Sequence, residues 1–366
     1  MFGTCALRRG SEGGRPFPNW ANAREACVSD GYTKPLRIAL LGFAICLCLA
    51  AVAACAAPVE SGSPNASDTA TEQLEADGPA GASGDTGDSS ATDGANGKDG
   101  SQLAKKLKAD IKPIVRKSGM DMGVCVIDLA SGAHASVGGK KRMVAASMIK
   151  LLVAASFLEH AEAGDFALDD KYALKEDDIV GGTGSLGGRG AGAEVEYGTM
   201  LEKMISESDN TATNALIGAI GMEAVNETAE RLGLTETELK RLMMDEDAIA
   251  EGVENYTSAN DVAKLLQLAH AGELVSPKAS KTLMKALRKQ NDDTGILAGL
   301  PKGTSFAHKT GALGGAQNDG GIVEAEDDFV VVVMCGGSGF NLDGALDAMA
   351  DIGRTSYRDI IGRDKA

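Results

Sequence analysis

The chain has 366 residues and a formal net charge of −16, with 43% hydrophobic and 4% aromatic residues. This length is enough for a substantial core, and the acidic balance argues against nucleic-acid binding. The four histidines are scattered and no CxxC pair occurs, so the sequence predicts neither a metal site nor a cofactor.

Residues 33–55 are predicted to be a lipoprotein-type signal segment. Lys34 and Arg37 precede an apolar run from Ile38 to Ala54, and Cys55 follows at once. The last four residues of this segment, VAAC, resemble the bacterial lipoprotein processing box, in which the cysteine is lipidated. We therefore expect export and lipid anchoring at Cys55 to the outer face of the bacterial cell membrane. A plain transmembrane anchor is the alternative, although the run is short for a bilayer span.

The segments on either side of this signal are not expected to fold. Residues 1–32 form an N-terminal extension with no helical or strand pattern, and a mis-assigned start codon would explain it. Residues 56–100 carry nine acidic residues and one lysine among Gly, Ala, Ser and Thr. Such a composition cannot bury enough apolar surface to offset ordering, so a disordered acidic linker is predicted.

Residues 101–366 are predicted to form one domain with strands at both ends and helices between them. The expected helices are 103–117, 147–163, 197–206, 210–220, 223–232, 258–271, 277–288 and 342–361, and the expected strands are 123–128, 134–137, 305–309, 318–324 and 329–335. This order indicates an α+β fold: a mainly antiparallel sheet formed by the N- and C-terminal segments, flanked by helices, with an inserted all-helical subdomain. Cys125 and Cys335 fall in strands; two buried thiols are favoured over the disulfide that export would permit.

Three short motifs carry the chemistry. Ser147-Met148-Ile149-Lys150 opens a helix, so the serine and the lysine share one face. A serine hydroxyl needs a base to become nucleophilic, and Lys150 can serve if burial and a second cation lower its pKa. Lys309, in the motif Lys309-Thr310-Gly311, is the candidate second cation.

The second motif, Ser208-Asp209-Asn210, falls between two predicted helices. Ser208 can relay a proton to a leaving nitrogen, Asp209 is expected to cap backbone N–H groups, and Asn210 offers an amide to the substrate. Asn214, one turn later, is expected to fix neighbouring backbone. His308 precedes the third motif and is interpreted as structural.

The type, order and spacing of these motifs resemble those of class A β-lactamases and penicillin-binding proteins. The resemblance covers residues 101–366 and implies a serine hydrolase acylated at Ser147, with Lys150 and Ser208 moving protons. It also implies that residues 180–185 form part of the cleft rim. The substrate-binding groups that it implies are Asn210, Lys309, Thr310, Gly311 and the N–H of Ala312.

One element of the family pattern is ambiguous. β-Lactamases of this family carry a loop glutamate that activates the water for deacylation. One alignment assigns this catalytic role to Glu236. The other aligns the loop arginine with Arg241, puts Met243 at the glutamate position, and fits the distance from Ser208 better. Since methionine cannot act as a general base, deacylation is then expected to be slow.

The leading hypothesis is an exported, lipid-anchored serine hydrolase of the class A β-lactamase type. It would act on a β-lactam or a related amide next to a carboxylate, as a monomer, with β-lactam hydrolysis if Glu236 reaches the site. Two alternatives stay open. One is a D-alanyl-D-alanine carboxypeptidase or other peptidoglycan enzyme, and the other is a non-turnover module that binds or senses the cell wall.

Overall fold

The computed structural model describes residues 93–362, with side chains from residue 99 onward. The predicted extension, the signal segment with Cys55 and the linker up to residue 92 lie outside this range. Within it, no helix has both the length and the hydropathy to cross a membrane.

The described residues contain strands and helices in the predicted alternation. The strands are β1 (Asp121–Asp128), β2 (His134–Val137), β3 (Met143–Val144), β4 (Lys171–Ala173), β5 (Glu194–Glu196), β6 (Tyr256–Thr257), β7 (Ser305–Leu313), β8 (Ala316–Glu324) and β9 (Phe329–Gly336). The helices are α1 (Asp93–Ser118), α2 (Lys150–Ala163), α3 (Tyr197–Ser206), α4 (Asn210–Ile220), α5 (Met222–Arg231), α6 (Glu246–Ala250), α7 (Ala259–Ala271), α8 (Pro277–Leu287) and α9 (Leu342–Ile361).

The central sheet has the order β2-β1-β9-β8-β7, and every neighbouring pair is antiparallel. β1 pairs along its whole length with β9, from Asp121 opposite Gly336 to Asp128 opposite Phe329. The sheet is therefore completed by segments from opposite ends of the domain, as predicted. β7 and β8 form a hairpin, and β7 is an edge strand of this sheet.

Both faces of the sheet are covered, which explains the unbroken apolar run of β9. Val330 and Val332 join a core with α2 and α7, whereas Val331 and Val333 join a second core with α1 and α9. A strand buried on both faces has no polar alternation. The helices α3 to α5 are inserted between the two halves of the sheet, so the α+β fold class is confirmed.

Helix α2 lies at the centre of the larger core. Its first nine residues, from Lys150 to Leu158, are all buried. The helix ends at Gly164, whose φ of +91° is a conformation that favours glycine. This agrees with the predicted central helix and its predicted end.

Helix α1 differs most from its prediction. It begins at Asp93, inside the segment predicted as a disordered linker, and it continues through Pro113. Gly100 is buried, and a Cβ at this position would lie 3.0 Å from the carbonyl oxygen of Ser131. Glycine thus permits close packing on the β1–β2 turn. The folded part therefore extends into residues 93–100, which composition alone had placed in the linker.

The two cysteines of the domain are free and buried. Cys125 on β1 packs in the core with α2, and Cys335 on β9 packs in the core with α1 and α9. Their side chains lie on opposite faces of the sheet, so no disulfide can join them. Burial raises the pKa of each thiol to about 12, and the favoured interpretation of two buried thiols is confirmed.

Candidate active site

Ser147 lies in a short 3₁₀ turn, Ala146–Ile149, that leads directly into α2. The preceding Ala146 has a φ of +46°, which is costly for a residue with a Cβ. Asn318 on β8 holds this turn by donating its side-chain amide to the carbonyl oxygens of Val144 (3.0 Å) and Ala145 (3.1 Å). The sheet thereby fixes the strained backbone that presents Ser147, which is itself half-buried.

Lys150 is completely buried one turn after Ser147. Its Nζ lies 2.6 Å from the carbonyl oxygen of Ser208, 2.7 Å from Oδ1 of Asn210 and 3.1 Å from Oγ of Ser208. Burial, followed by the charge of Lys309, holds the pKa of Lys150 well below its ordinary value. The neutral form of this amine is therefore favoured relative to that of an exposed lysine.

The three contacts of Lys150 can be made by an ammonium group, which donates to all three oxygens, and also by a neutral amine. The carbonyl oxygen of Ser208 and Oδ1 of Asn210 only accept hydrogen bonds, so they occupy the two N–H groups of such an amine. Its lone pair is then left for a hydroxyl. That hydroxyl is the one of Ser208, and among the described hydrogen bonds none joins Lys150 to Ser147.

Lys309 is the second completely buried lysine, and it meets the first at Ser208. Its Nζ lies 3.1 Å from Oγ of Ser208 and 2.6 Å from the carbonyl oxygen of Thr310. Burial lowers the pKa of Lys309 to about 7, although Asp319 and Asp292 favour its charged form. The hydroxyl of Ser208 is consequently within 3.1 Å of both lysine nitrogens.

Asp209 has the structural role expected of it. Its carboxylate caps α4 by accepting the N–H of Ala212 at 2.8 Å. It also accepts the N–H groups of Ser185 and Leu186, each at 2.7 Å. These bonds hold Ser208 at a φ of +55°, an unusual conformation for a non-glycine residue.

The predicted rim loop is attached to the second motif. Thr183 donates its hydroxyl to the carbonyl oxygen of Ser208 at 2.6 Å, and its own carbonyl oxygen accepts the N–H of Asn210 at 3.0 Å. The side-chain amide of Asn210 donates to the carbonyl oxygen of Gly181 at 3.0 Å. Residues 180–185 thus lie beside Asn210, where the sequence had placed a cleft wall.

Gly311 brings the edge strand against the Ser147 turn. A Cβ at Gly311 would lie 3.0 Å from the backbone nitrogens of Ser147 and Met148 and 3.1 Å from the carbonyl oxygen of Ala145. Only glycine allows this approach. Ala312 follows as an exposed residue of the edge strand, where an unpaired backbone N–H can face a ligand.

Glu236 and Met243, the two alternatives for the loop position of the deacylating glutamate, are held by different contacts. Met243 is buried, and its backbone makes two hydrogen bonds with the side chain of Asn214. The N–H of Met243 donates to Oδ1 of Asn214 at 2.8 Å, and the carbonyl oxygen of Met243 accepts from Nδ2 of Asn214 at 3.1 Å. Asn214 lies one turn of α4 after Asn210. Arg241 closes the same loop through a 2.6 Å ion pair with Glu254. The expectation that Asn214 fixes backbone is met, and the backbone it fixes is that of Met243.

Glu236 is anchored elsewhere. Its N–H donates to Asp261 in the first turn of α7 at 2.8 Å. Among the described hydrogen bonds, none joins Glu236 to the lysine–serine cluster. Its assignment as the catalytic base stays a prediction, and the contacts favour the alternative alignment with Met243.

Two site-supporting groups were not assigned from the sequence. Asn318 holds the Ser147 turn. The carboxylate of Asp319 accepts two hydrogen bonds, one from Nδ1 of His308 at 2.9 Å and one from the N–H of Ile296 at 3.0 Å. His308 and Asp319 are almost completely buried on the face of the sheet opposite Lys309. The signal was available as the polar run Gln317-Asn318-Asp319 ahead of the apolar end of strand β8, and His308 is structural as interpreted.

Comparison with known proteins agrees with this geometry. The sequence profile of the β-lactamase enzyme family matches residues 105–360. A β-lactamase from Citrobacter koseri is 28% identical over 239 residues, which are 64% of this chain and 79% of the relative.

Solved structures give the same result. A β-lactamase from Sphaerobacter thermophilus DSM 20745 superposes with a TM-score of 0.64 at 28% identity, covering 70% of this chain and 97% of the other. PBP-A superposes with a TM-score of 0.64 at 27% identity, covering 71% and 96%. A mutant of PBP-A is known as an acyl-enzyme complex with penicillin G, with a TM-score of 0.64 at 27% identity and coverage of 71% and 97%.

Proposed function

The chain belongs to the β-lactamase enzyme family, and we propose that this serine hydrolase is acylated at Ser147 by β-lactams or by a related amide next to a carboxylate. The observation that carries the proposal is the position of Ser208, whose Oγ lies 3.1 Å from both Nζ of Lys150 and Nζ of Lys309. Such an array can take a proton from one oxygen and deliver it to a leaving nitrogen.

Acylation uses the residues of the first two motifs. Neutral Lys150 takes the proton of the Ser147 hydroxyl, whose oxygen attacks the carbonyl carbon of the amide. The N–H groups of Ser147 and Ala312 stabilise the resulting oxyanion, a contribution of about 10²–10³ in rate for each donor. Ser208 then protonates the leaving nitrogen and recovers its proton from Lys150.

Substrate orientation comes from the edge strand. The charged form of Lys309 and the hydroxyl of Thr310 bind the carboxylate beside the scissile amide, because charge-assisted hydrogen bonds are the strong ones. Asn210, fixed between Lys150 and the rim loop, binds the amide on the other side of the reacting carbon. Both groups thereby place the carbonyl next to Ser147.

Deacylation is the slow half of the reaction. The loop segment fixed by Asn214 presents Met243, and a thioether cannot activate water. The similarity to PBP-A supports the second candidate function, a D-alanyl-D-alanine carboxypeptidase or related peptidoglycan enzyme. In the third, a cell-wall binder or sensor, the adduct would not turn over at all.

Intact-protein mass spectrometry tests the proposal directly. The purified protein is mixed with penicillin G, and the mass is followed from seconds to hours. We expect a stoichiometric adduct that persists and that is absent in Ser147→Ala. A transient adduct with released product would identify an efficient β-lactamase. If no adduct forms in the wild-type protein while its melting curve shows it folded, acylation by β-lactams is excluded.

Export and anchoring are a separate proposal, supported by the sequence of residues 33–55. Lipidation at Cys55 would hold the acidic linker and the enzyme at the outer face of the membrane. Cell fractionation checks this: Cys55→Ala should move the protein from the membrane to the soluble fraction. Equal membrane retention of both forms would contradict lipid anchoring.

A further inference from the structure

Helix α1 presents a basic face to solvent in a chain whose net charge is −16. The helix carries seven basic and three acidic residues. From the arrangement of the basic ones we infer that α1 docks the domain on an anionic lipid surface by binding phosphate headgroups. This interaction lies outside the catalytic cleft. It depends neither on acylation of Ser147 nor on lipidation of Cys55, although a lipid anchor would act together with it.

The basic residues form one stripe along the helix. Residues three and four positions apart lie on one face of a helix, and the members of the stripe follow each other by three, four and four positions. They are Lys105, Lys108, Lys112 and Arg116, and all four are exposed. From the first to the last the helix rises by about 16 Å. Four positive charges therefore lie in a straight row on the surface.

The opposite face of α1 is apolar and fixed in the domain. Leu103, Leu107 and Ile111 are buried in the core shared with α9. The helix also packs against β2, an edge strand of the central sheet. The stripe consequently has a fixed place on the surface and faces away from the core.

No acidic neighbour neutralises the stripe. None of the ion pairs found in residues 99–362 includes one of its four members. Asp110, the only carboxylate of α1 after residue 100, pairs with Lys106 at 3.1 Å and with Arg358 of α9 at 2.8 Å. Asp359 of α9 pairs with the same two cations. The charge of the stripe therefore stays available for an external anion.

The place of the stripe in the chain favours a membrane as its partner. Helix α1 is the first described element, and residues 56–92 connect it to Cys55, the proposed lipidation site. For this composition a tether of 37 residues has a root-mean-square reach of about 30–36 Å, which keeps the basic helix close to lipid headgroups. Each lysine or arginine near an anionic bilayer strengthens attachment by about fivefold.

The tether itself is the main competitor for the stripe. Residues 56–92 contain seven acidic residues and no basic one. To cover the stripe, this segment must turn back at the start of α1 and lose conformational entropy for each residue that it orders. Contacts between exposed charges return little free energy. A bilayer presents its anions already arranged in a plane, so the observations favour the lipid surface.

Docking through α1 leaves the catalytic cleft open. The strand that packs on α1 is β2 and the strand that carries Lys309 is β7, and they lie at opposite edges of the sheet. Four strand spacings separate these edges by about 19 Å. The cleft would therefore stay clear of the lipid while the domain is docked.

Lysine footprinting of the full chain tests the inference. The protein is mixed with vesicles of phosphatidylglycerol and phosphatidylcholine, or of phosphatidylcholine alone, and vesicle-bound molecules are collected by flotation. A water-soluble reagent then acetylates exposed lysines, and peptide mass spectrometry gives the rate at each one. Three exposed lysines outside all described ion pairs, on α8 and before β7, serve as internal controls: Lys281, Lys285 and Lys302.

We expect the three stripe lysines to react at least about fivefold more slowly on anionic than on neutral vesicles, with the control lysines unchanged. Salt at about 1 M should remove this protection, because the Debye length falls to about 3 Å. If the protein does not float with neutral vesicles, the free protein in buffer is the reference. Equal rates in the two states would overturn the inference, and so would a protein that floats with neither kind of vesicle.

A pair of variants separates the stripe from the net charge. Lys105→Gln with Arg116→Gln removes two charges from the stripe, and Lys281→Gln with Lys302→Gln removes two charges elsewhere. At about fivefold for each charge, docking should weaken by about 25-fold in the first variant, so that the two remaining stripe lysines lose their protection. The second variant should keep it. Equal protection in both variants, each shown to be folded by its melting curve, would contradict docking through the stripe.

Other occupants of the stripe give different results. If the acidic tether covers it, the stripe lysines react slowly in buffer without vesicles and faster in salt. If the partner is a soluble anionic polymer, polyphosphate protects these lysines and anionic vesicles do not. Either result would overturn the lipid assignment. Failure of acylation by penicillin would leave these rates unchanged, so the proposed function and this inference are tested separately.

Discussion

Gly311→Ala is the sharpest probe of how the edge strand and the nucleophile fit together. The added methyl carbon would lie 3.0 Å from the backbone nitrogens of Ser147 and Met148 and 3.1 Å from the carbonyl oxygen of Ala145. All three are backbone atoms, so the overlap cannot be relieved by rotating a side chain. The turn that carries Ser147 must move away from β7.

The expected loss in acylation rate follows from the two N–H groups that this movement separates. The oxyanion donors proposed here are the N–H groups of Ser147 and Ala312, one on each side of the contact. Loss of one such donor costs about 10²–10³ in rate, and overpacking of this kind costs about 1–3 kcal/mol of stability. We expect acylation by a fluorescent penicillin to slow by about 10²-fold, with the melting temperature lowered by a few degrees.

A matched control lies in the same hairpin. Gly314 has no atom within 4 Å of an added Cβ and does not have a positive φ, so Gly314→Ala should keep the acylation rate and the melting temperature. Stopped-flow measurement of the second-order acylation rate compares the two variants. If Gly311→Ala acylates as fast as the wild-type protein, the close approach does not position the oxyanion site and the reasoning is refuted.

Three further predictions concern the lysines and the loop. The free energy of unfolding should rise between pH 7 and about 10. In this range the unfolded chain keeps the proton of Lys309, whose pKa there is about 10.4, whereas the folded protein, with a pKa of about 7, has lost it. Urea titrations across this range check the prediction, and a fall in the free energy of unfolding would contradict it. Substrate affinity should weaken as the pH passes about 7 and Lys309 loses its charge; a pH-independent apparent Kd for penicillin would exclude this role. Met243→Glu should speed deacylation by about tenfold or more, whereas Glu236→Gln should leave it unchanged, as measured by the decay of the adduct mass; the reverse pattern would establish Glu236 as the base.

Much of the fold was predictable because the local signals agree with one another. The helix α2 was placed by an apolar run that ends at Gly164, and the strands β8 and β9 by their runs of valine, isoleucine and glycine. The three motifs identified Ser147, Lys150, Ser208 and Lys309, and the structure brings the two lysines and Ser208 into one hydrogen-bonded cluster.

The rest depends on tertiary contacts that leave weak traces in sequence. The start of α1 was missed because the helix around Gly100 is stabilised by packing on Ser131 and not by the helix propensity of its residues. The polar residues Asn318 and Asp319 gain their roles only from partners far away in the chain, Ala145 and Ile296. The contact of Asn214 with the backbone of Met243, which spacing alone does not specify, favours the alignment with Met243, and the role of Glu236 stays a prediction.

The pairing of β1 with β9 has a consequence for how the protein matures. Cys125 finds its partner Val332 only after about 200 further residues have been added, so the sheet has a high contact order and should fold slowly. Lys309 reaches Ser208 through β7, which is attached to the sheet by β8 and β9. A chain that ends before β9 would contain all three motifs and still lack a site. Reaction with a fluorescent penicillin would therefore also measure the rate of folding, because only molecules in which β9 has paired with the rest of the sheet can be labelled.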